Sequence, residues 1–248
     1  KLISHLKSLA PRKIFLRIGY EFDGPWNCYT PTSYKAAFIN IVDEINNQSA
    51  LNINTVWQSA AWPAGNDAGD IYDTRNSNHF DNWYPGDDYV DWVSISAFYR
   101  DLSQWSYAPS TYPDSIHQEA LTFARSHNKP VMIAESAPQG YRLGALTHSY
   151  IQINNQSPRT AQAIWQNWFE PYFNFIEQNN DVIRAVAYIN THWDTQEMWQ
   201  CAPSIQAPDP GCRQGNWGDS RIQANEYIKN QWLEKVNNGS FWQQSPDY

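Results

Sequence analysis

The sequence predicts an α/β protein, a (β/α)8 barrel lacking its first three β/α units in this chain, and three observations predict it. Apolar runs of strand length alternate strictly with segments of helical periodicity along the 248 residues. That is the pattern of parallel strands joined by crossover helices. Neither a Gly-x-Gly-x-x-Gly fingerprint nor a phosphate loop occurs, so nothing marks a nucleotide-binding sheet. Five strands can be counted, near residues 13, 53, 90, 131 and 182, where a closed barrel needs eight. The chain also opens on a helix. The five are therefore read as the fourth to eighth strands of one domain spanning 1–248, with an open edge before residue 13. The other arrangement is a five-stranded open sheet whose edge strands need cover.

Each element has its own signal. Leu2, Ile3, Leu6 and Leu9 recur at helical spacing, and Lys13–Ile18 reads as a strand. Pro31–Asn46 reads as a helix with Tyr34, Ala37, Phe38, Ile41 and Ile45 on one stripe and Thr32 or Ser33 as its cap. Ile53–Gln58 is a strand, followed by a loop rich in Asn, Asp and Gly. Val90–Phe98 is a strand whose core, Trp92 to Ser96, suits a barrel interior; a long aromatic loop follows. Ser115–His127 is a helix, Val131–Ala134 a strand, Pro158–Asn179 a long helix, Val182–Asn190 a strand and Arg221–Asn237 the last helix. No internal repeat or low-complexity segment stands out.

Composition excludes several classes. The formal charge is −8, and the 17 Lys and Arg form no basic run, so a nucleic-acid partner is not expected. No run of about 18 apolar residues marks a membrane span. The start at Lys1 has no apolar signal region and is read as processed or truncated. Aromatic residues make up 15%, with 13 Trp and 15 Tyr, more Trp than a core requires. Flat rings with a polar edge suit stacking on sugar rings, although Trp165, Trp168 and Trp232 sit in helical patterns and are expected to be core. Cys201 and Cys212 flank a loop with three prolines. They read either as a small disulfide, implying an oxidising compartment, or as two free thiols. The sequons at Asn47 and Asn238 are compatible with export. Cys28 is left over, a small buried or loop residue. Asp67, Asp70 and Asp73 share one loop but lack the calcium-loop pattern, and no His or Cys cluster supports zinc. No metal or cofactor is expected.

Two segments carry chemistry. Arg17-Ile18-Gly19-Tyr20-Glu21-Phe22-Asp23-Gly24-Pro25-Trp26 follows the first strand, and Lys129 to Ser136 ends in Glu135-Ser136. Both deliver a glutamate to the carboxyl end of a parallel strand, the face where barrels do chemistry. One such glutamate alone is as readily a surface ion pair. Two in matched contexts are the acid/base and nucleophile that a retaining sugar hydrolase needs, with carboxyls about 5–5.5 Å apart.

In these segments the chain resembles glycoside hydrolase family 26, which contains β-mannanases, β-1,3-xylanases and lichenases. The family's fourth-strand pattern places Arg four residues before the acid/base and Trp five after it, as Arg17 and Trp26 stand to Glu21. Tyr84 to Val93 resembles the entry to its sixth strand, Lys129 to Glu135 its seventh strand ending in the nucleophile, and Trp217 to Arg221 the segment after its eighth. Two positions depart from the family: Tyr20 stands where it has His, and Asp23 where it usually has Asn.

The resemblance implies a retaining endo-glycosidase, β-mannan first among its substrates. Another β-glycan, such as β-1,3-xylan or mixed-linkage glucan, is the alternative, as is a non-catalytic carbohydrate-binding barrel. Glu135 would attack the anomeric carbon, and Glu21 would protonate the leaving oxygen and then activate water. Arg17 is placed to pair with Glu135. Tyr99 would donate a hydrogen bond to Glu135 or pack as an aromatic. Trp193 would floor the −1 subsite or lie in the core, flanked by His192 and Asp194. Tyr20 and Trp26 are candidate sugar contacts. Trp57, Trp62, Trp83 and Trp105 are candidates for outer subsites, Trp57 first because it ends a strand. The implied setting is a secreted monomer acting on a polysaccharide.

Overall fold

The computed structural model describes residues 1–62, 70–74, 76–98, 113–138, 140–148, 160–197 and 217–237. Contacts divide the chain into two compact units. The first comprises Lys1–Ala97, Asp101–Ser136 and Asp181–Ala187; the second comprises Phe98–Arg100, Ala137–Asn180 and Tyr188–Tyr248.

The first unit holds a five-stranded sheet of β1 (Ile14–Arg17), β2 (Ile53–Ser59), β3 (Trp92–Ala97), β4 (Val131–Ser136) and β7 (Ile183–Val186). Their order in the sheet is their order in the chain, and every pair is parallel. All five expected strands are present, and β1 is an edge. The central strands read as near-continuous apolar runs because both faces are covered. Val56, Trp57, Val93, Ile95, Val131 and Ile133 are buried.

Helices α1 (Leu2–Lys7), α2 (Pro31–Asn47), α3 (His79–Trp83) and α4 (Pro113–Ser126) belong to this unit. The cap of α2 is Thr30, whose side chain accepts from Ser33 N, and not Thr32 or Ser33. Pro31 explains the shift: with no N–H and a helical φ it belongs at the first helical position, so the capping residue precedes it. The buried stripe of α2 is Tyr34, Phe38, Val42 and Ile45; Ala37 faces outward.

In the second unit, α5 (Ala161–Ile164) and α6 (Glu170–Gln178) form one run through a π turn at Trp165–Phe169. Pro171 has no N–H and excludes the carbonyl four residues back, and a wider turn upstream accommodates that loss. Trp168, Phe169, Tyr172 and Phe173 are its buried face. The last helix, α7 (Glu226–Asn237), starts five residues later than the sequence suggests. Asn225 caps it, with Oδ1 accepting from Tyr227 N and Ile228 N at 3.0 and 3.2 Å. A small sheet not visible in the sequence joins β5 (Tyr141–Arg142), β6 (Thr147–His148) and β8 (Gly218–Asp219). Gly218 (φ +91°) is required there, since a Cβ would run into the Tyr141 carbonyl.

Candidate active site

Parallel strands share a carboxyl end, so residues that close β1, β2, β3 and β4 meet on one edge of the first unit. Beyond β1 the backbone kinks twice into the left-handed region, at Gly19 (φ 55°) and Glu21 (φ 51°). Gly19 is needed for space as well as conformation, because a Cβ there would sit 2.8 Å from the Tyr34 ring. Glu21 is a strained position for a side-chain-bearing residue, costing on the order of 1 kcal/mol or more. Three contacts hold it. Phe22 N donates to Gln58 O at 3.1 Å, and Asn27 Nδ2 donates to the carbonyls of Tyr20 and Glu21 at 3.0 Å each.

The kink turns the Glu21 carboxyl toward β3. Oε1 accepts from Ser96 Oγ at 2.7 Å, and Oε2 accepts from Trp26 Nε1 at 2.9 Å. The indole folds back over Gly24, where any side chain would collide with it. Ser96 stands in register with Glu135 of β4, because the β3–β4 ladder shifts between Ile95 and Ser96. Without that shift Ala134 would face Ser96. Both glutamates are thus neighbours of one serine. Glu135 Oε1 pairs with Arg17 Nη1 at 2.8 Å, and the same nitrogen lies 3.4 Å from Ala134 O. The Arg17 guanidinium also lies 5.4 Å from the Tyr20 ring.

Electrostatics separate the two carboxyls. Burial pushes the Glu21 pKa up to about 7, the negative charges of Glu135 and Asp23 push the same way, and the Ser96 and Trp26 hydrogen bonds oppose them. Glu135 has a guanidinium against it; Glu21 has two neutral donors.

No protein-family model matches the chain. It is 38% identical over 239 residues, 95% of its length, to a β-1,3-xylanase from Alcaligenes sp. It is 37% identical over the same share to the β-1,3-xylanase TXYA from Vibrio sp. It spans less than half of both relatives, 45% and 46%. Its fold matches a Cellulomonas fimi endo-β-1,4-mannanase with a TM-score of 0.57 over all of this chain and 48% of that one, at 14% identity. It also matches a modular C. fimi endo-β-1,4-mannanase, described with the family 26 mannanases, with a TM-score of 0.51 at 18% identity, over 90% of this chain and 51% of that one. The chain is thus similar in sequence to β-1,3-xylanases and in fold to family 26 mannanases. The parallel sheet of its first unit is that of a truncated (β/α)8 barrel.

Arg17, Tyr20, Glu21, Trp26 and Glu135 lie together as the sequence suggested. Tyr20 and Trp26 are about half exposed, at 47% and 54%, so both rings are open to a ligand. Trp57 corrects the reading of it as an outer subsite. It is fully buried, stacked on Phe22 at 4.4 Å and 17°, with Tyr84, Phe80 and Phe123 around it. A ring at the end of a strand faces the core or the cleft according to alternation, and here it faces the core. Trp83 is likewise buried, its Nε1 donating to Ile71 O at 3.1 Å. Tyr99, Trp105, Cys201 and Cys212 lie outside the described residues. Cys28 is exposed. No cluster able to hold a metal occurs among the described residues.

Asp23 is a structural residue. Buried beneath the loop, it accepts from Ser59 Oγ and from Ala60 N at 2.6 Å, and it lies 2.9 Å from His79 Nε2. A carboxylate with three partners ties the β1 loop to the end of β2 and to α3. In the second unit Trp193 is buried, its Nε1 donating to Ser220 Oγ at 3.1 Å and its ring centroid 5.5 Å from that of Trp217. Beside it Asp194 accepts from Arg142 Nε at 2.6 Å and from Gly218 N at 3.0 Å, which ties that loop to the small sheet.

Sequence reasoning missed Ser96, Gln58 and Asn27. The available signal was the polar residues Gln58 and Ser96 at the ends of otherwise apolar strands.

Proposed function

We propose that the protein is a retaining endo-glycosidase that hydrolyses β-1,3-xylan by double displacement. The observation that carries this reading is the presence of two dissimilar carboxyls at the carboxyl end of one sheet, Glu21 hydrogen-bonded to Ser96 and Glu135 ion-paired to Arg17. Glu21 is partly buried and holds its proton up to about pH 7; Glu135 is ion-paired to Arg17. Those are the states that a general acid and a nucleophile require.

In the first step Glu135, with Arg17 bound to Oε1, attacks the anomeric carbon through its other oxygen. The glycosidic C–O bond breaks, and the leaving oxygen takes the proton of Glu21. In the second step the Glu21 carboxylate removes a proton from water, which attacks the same carbon and releases Glu135. Two inversions retain the β configuration. Tyr20 and Trp26 offer exposed rings for sugar stacking at the mouth of this site.

The choice of substrate rests on the relatives. The two matched at 38% and 37% are β-1,3-xylanases. The mannanases match at 14% and 18%, a likeness of fold alone. The expectation of β-mannan therefore gives way to β-1,3-xylan. A polymeric substrate is consistent with secretion. No helix among the described residues is long and apolar enough to cross a membrane.

Reducing-sugar release from β-1,3-xylan, β-1,4-xylan, β-mannan and mixed-linkage glucan tests this. The expected result is release from β-1,3-xylan at least about 100-fold faster than from β-mannan, the discrimination that a site built around substrate hydroxyls reaches. Preferred cleavage of β-mannan would contradict the substrate, and binding without cleavage of any polymer would contradict the reaction.

A further inference from the structure

We infer that the buried pair Gln58–Ser96 is a positioning device for Glu21: it holds the Ser96 hydroxyl as a fixed donor to Oε1 and so sets the pH at which that carboxyl exchanges its proton. The link to turnover rests on reading Glu21 as the acid/base.

A serine hydroxyl has one proton, and its neighbours decide where it points. Gln58 Nε2 donates to Ser96 Oγ at 3.0 Å, which leaves the serine proton for Glu21 Oε1 at 2.7 Å. Gln58 is fully buried and Ser96 is 2% exposed, so water does not compete for either bond. The Gln58 carbonyl oxygen is also buried and has no hydrogen-bond partner among the described residues. That oxygen records what the arrangement costs. Turning the amide would let it take the serine proton, and Glu21 would lose its donor.

Ser96 is held from its other side as well. His117 Nε2 lies 3.0 Å from the Ser96 carbonyl, and burial pushes the His117 pKa down to about 4. The imidazole is therefore neutral at working pH, and its N–H serves that carbonyl.

The groups facing Glu21 are few. Glu135 on β4 and Asp23 on its own loop favour the protonated form, as burial does; Arg17 is engaged with Glu135. Trp26 and Ser96 favour the ionised form. Trp26 is 54% exposed, so water can replace its bond. Ser96 is the donor that water cannot replace, and Gln58 is what aims it.

The test combines a carboxyl-carbon NMR titration of Glu21 with the pH profile of kcat/KM in Ser96→Ala, Gln58→Leu and Ser96→Thr. Ser96→Ala is expected to raise the Glu21 pKa by about one pH unit, the value of one hydrogen bond to a charged group. The basic limb of kcat/KM should move with it, while KM stays within about twofold. Gln58→Leu moves both in the same direction by less, and Ser96→Thr, which keeps the hydroxyl, restores both. An unmoved Glu21 titration in Ser96→Ala, or in Gln58→Leu should the first variant not fold, would overturn the inference. A titration that moves while the kinetic profile does not would uphold the positioning role and refute the acid/base assignment instead.

Discussion

Replacing Glu135 with Ala is expected to lower kcat/KM on β-1,3-xylan by roughly four orders of magnitude or more, as loss of a nucleophile does elsewhere. No described neighbour can stand in for it. Glu21 accepts hydrogen bonds on both oxygens and holds its proton up to about pH 7, Asp23 is buried under three donors, and Arg17 is a cation. The fold should tolerate the change. The Glu135 side chain is 19% exposed and that of Arg17 31%, so the freed guanidinium can be hydrated, and it keeps Ala134 O within reach. The stability cost is then about 1 kcal/mol, as for a partly solvated pair. Azide should restore turnover of an aryl β-glycoside by entering the space left by the carboxylate. The product should be the α-glycosyl azide, since only one inversion occurs. Unchanged activity in the variant, or rescue giving the β-azide, would remove Glu135 from the nucleophile's role.

Glu21→Gln is expected to trade stability against activity. In the folded protein burial raises the Glu21 pKa from its ordinary value of 4.5 to about 7. Between those values the folded chain keeps a proton that the unfolded chain has lost. Stability therefore falls as pH rises through that window, and the loss is complete above about pH 7. From the size of the shift it amounts to roughly 3 kcal/mol. A neutral Gln escapes that loss, although one of the donors facing the carboxyl must turn away, and the exposed Trp26 is free to do so. The variant should thus melt several degrees higher than the unmutated protein at pH 8 and no higher at pH 4. Its hydrolysis of xylan should fall by about 100-fold or more, the usual worth of a general acid. In the unmutated protein the same titration appears as loss of kcat/KM above about pH 7. Equal melting temperatures at pH 8 would contradict the burial argument, and retained activity on xylan would contradict the role.

Much of this site was legible in the sequence because a parallel sheet turns chain order into spatial order. Once Glu21 and Glu135 are read at the ends of strands in one sheet, they must share an edge, and Arg17, four residues before Glu21, extends from the same strand. What was not legible depends on which way a side chain points. Trp57 lies near the carboxyl end of its strand as Glu135 does, yet it sits in the core against Phe22. The register shift at Ile95/Ser96 brings Glu135 opposite Ser96, and no composition or periodicity announces such a shift. Asp23 could be marked as a departure from the family pattern, but only the fold brings Ser59, Ala60 and His79 around it. The small sheet of β5, β6 and β8 rests on two-residue strands, too short to leave a period. The late start of α7 was readable in principle, since Asn225 precedes Glu226 as a capping residue precedes a helix.

The central claim is that Glu135 becomes covalently bonded to sugar during turnover. Intact-mass and peptide-mapping spectrometry after treatment with a 2-deoxy-2-fluoro-β-xylobioside bearing a good leaving group tests it most directly. The fluorine slows both steps, and the good leaving group speeds only the first, so the intermediate accumulates. The account predicts a mass increase of one fluorinated disaccharide, located on Glu135 and absent from Glu135→Ala. A label on any other residue, or an α-configured first product from the unlabelled substrate, would contradict it.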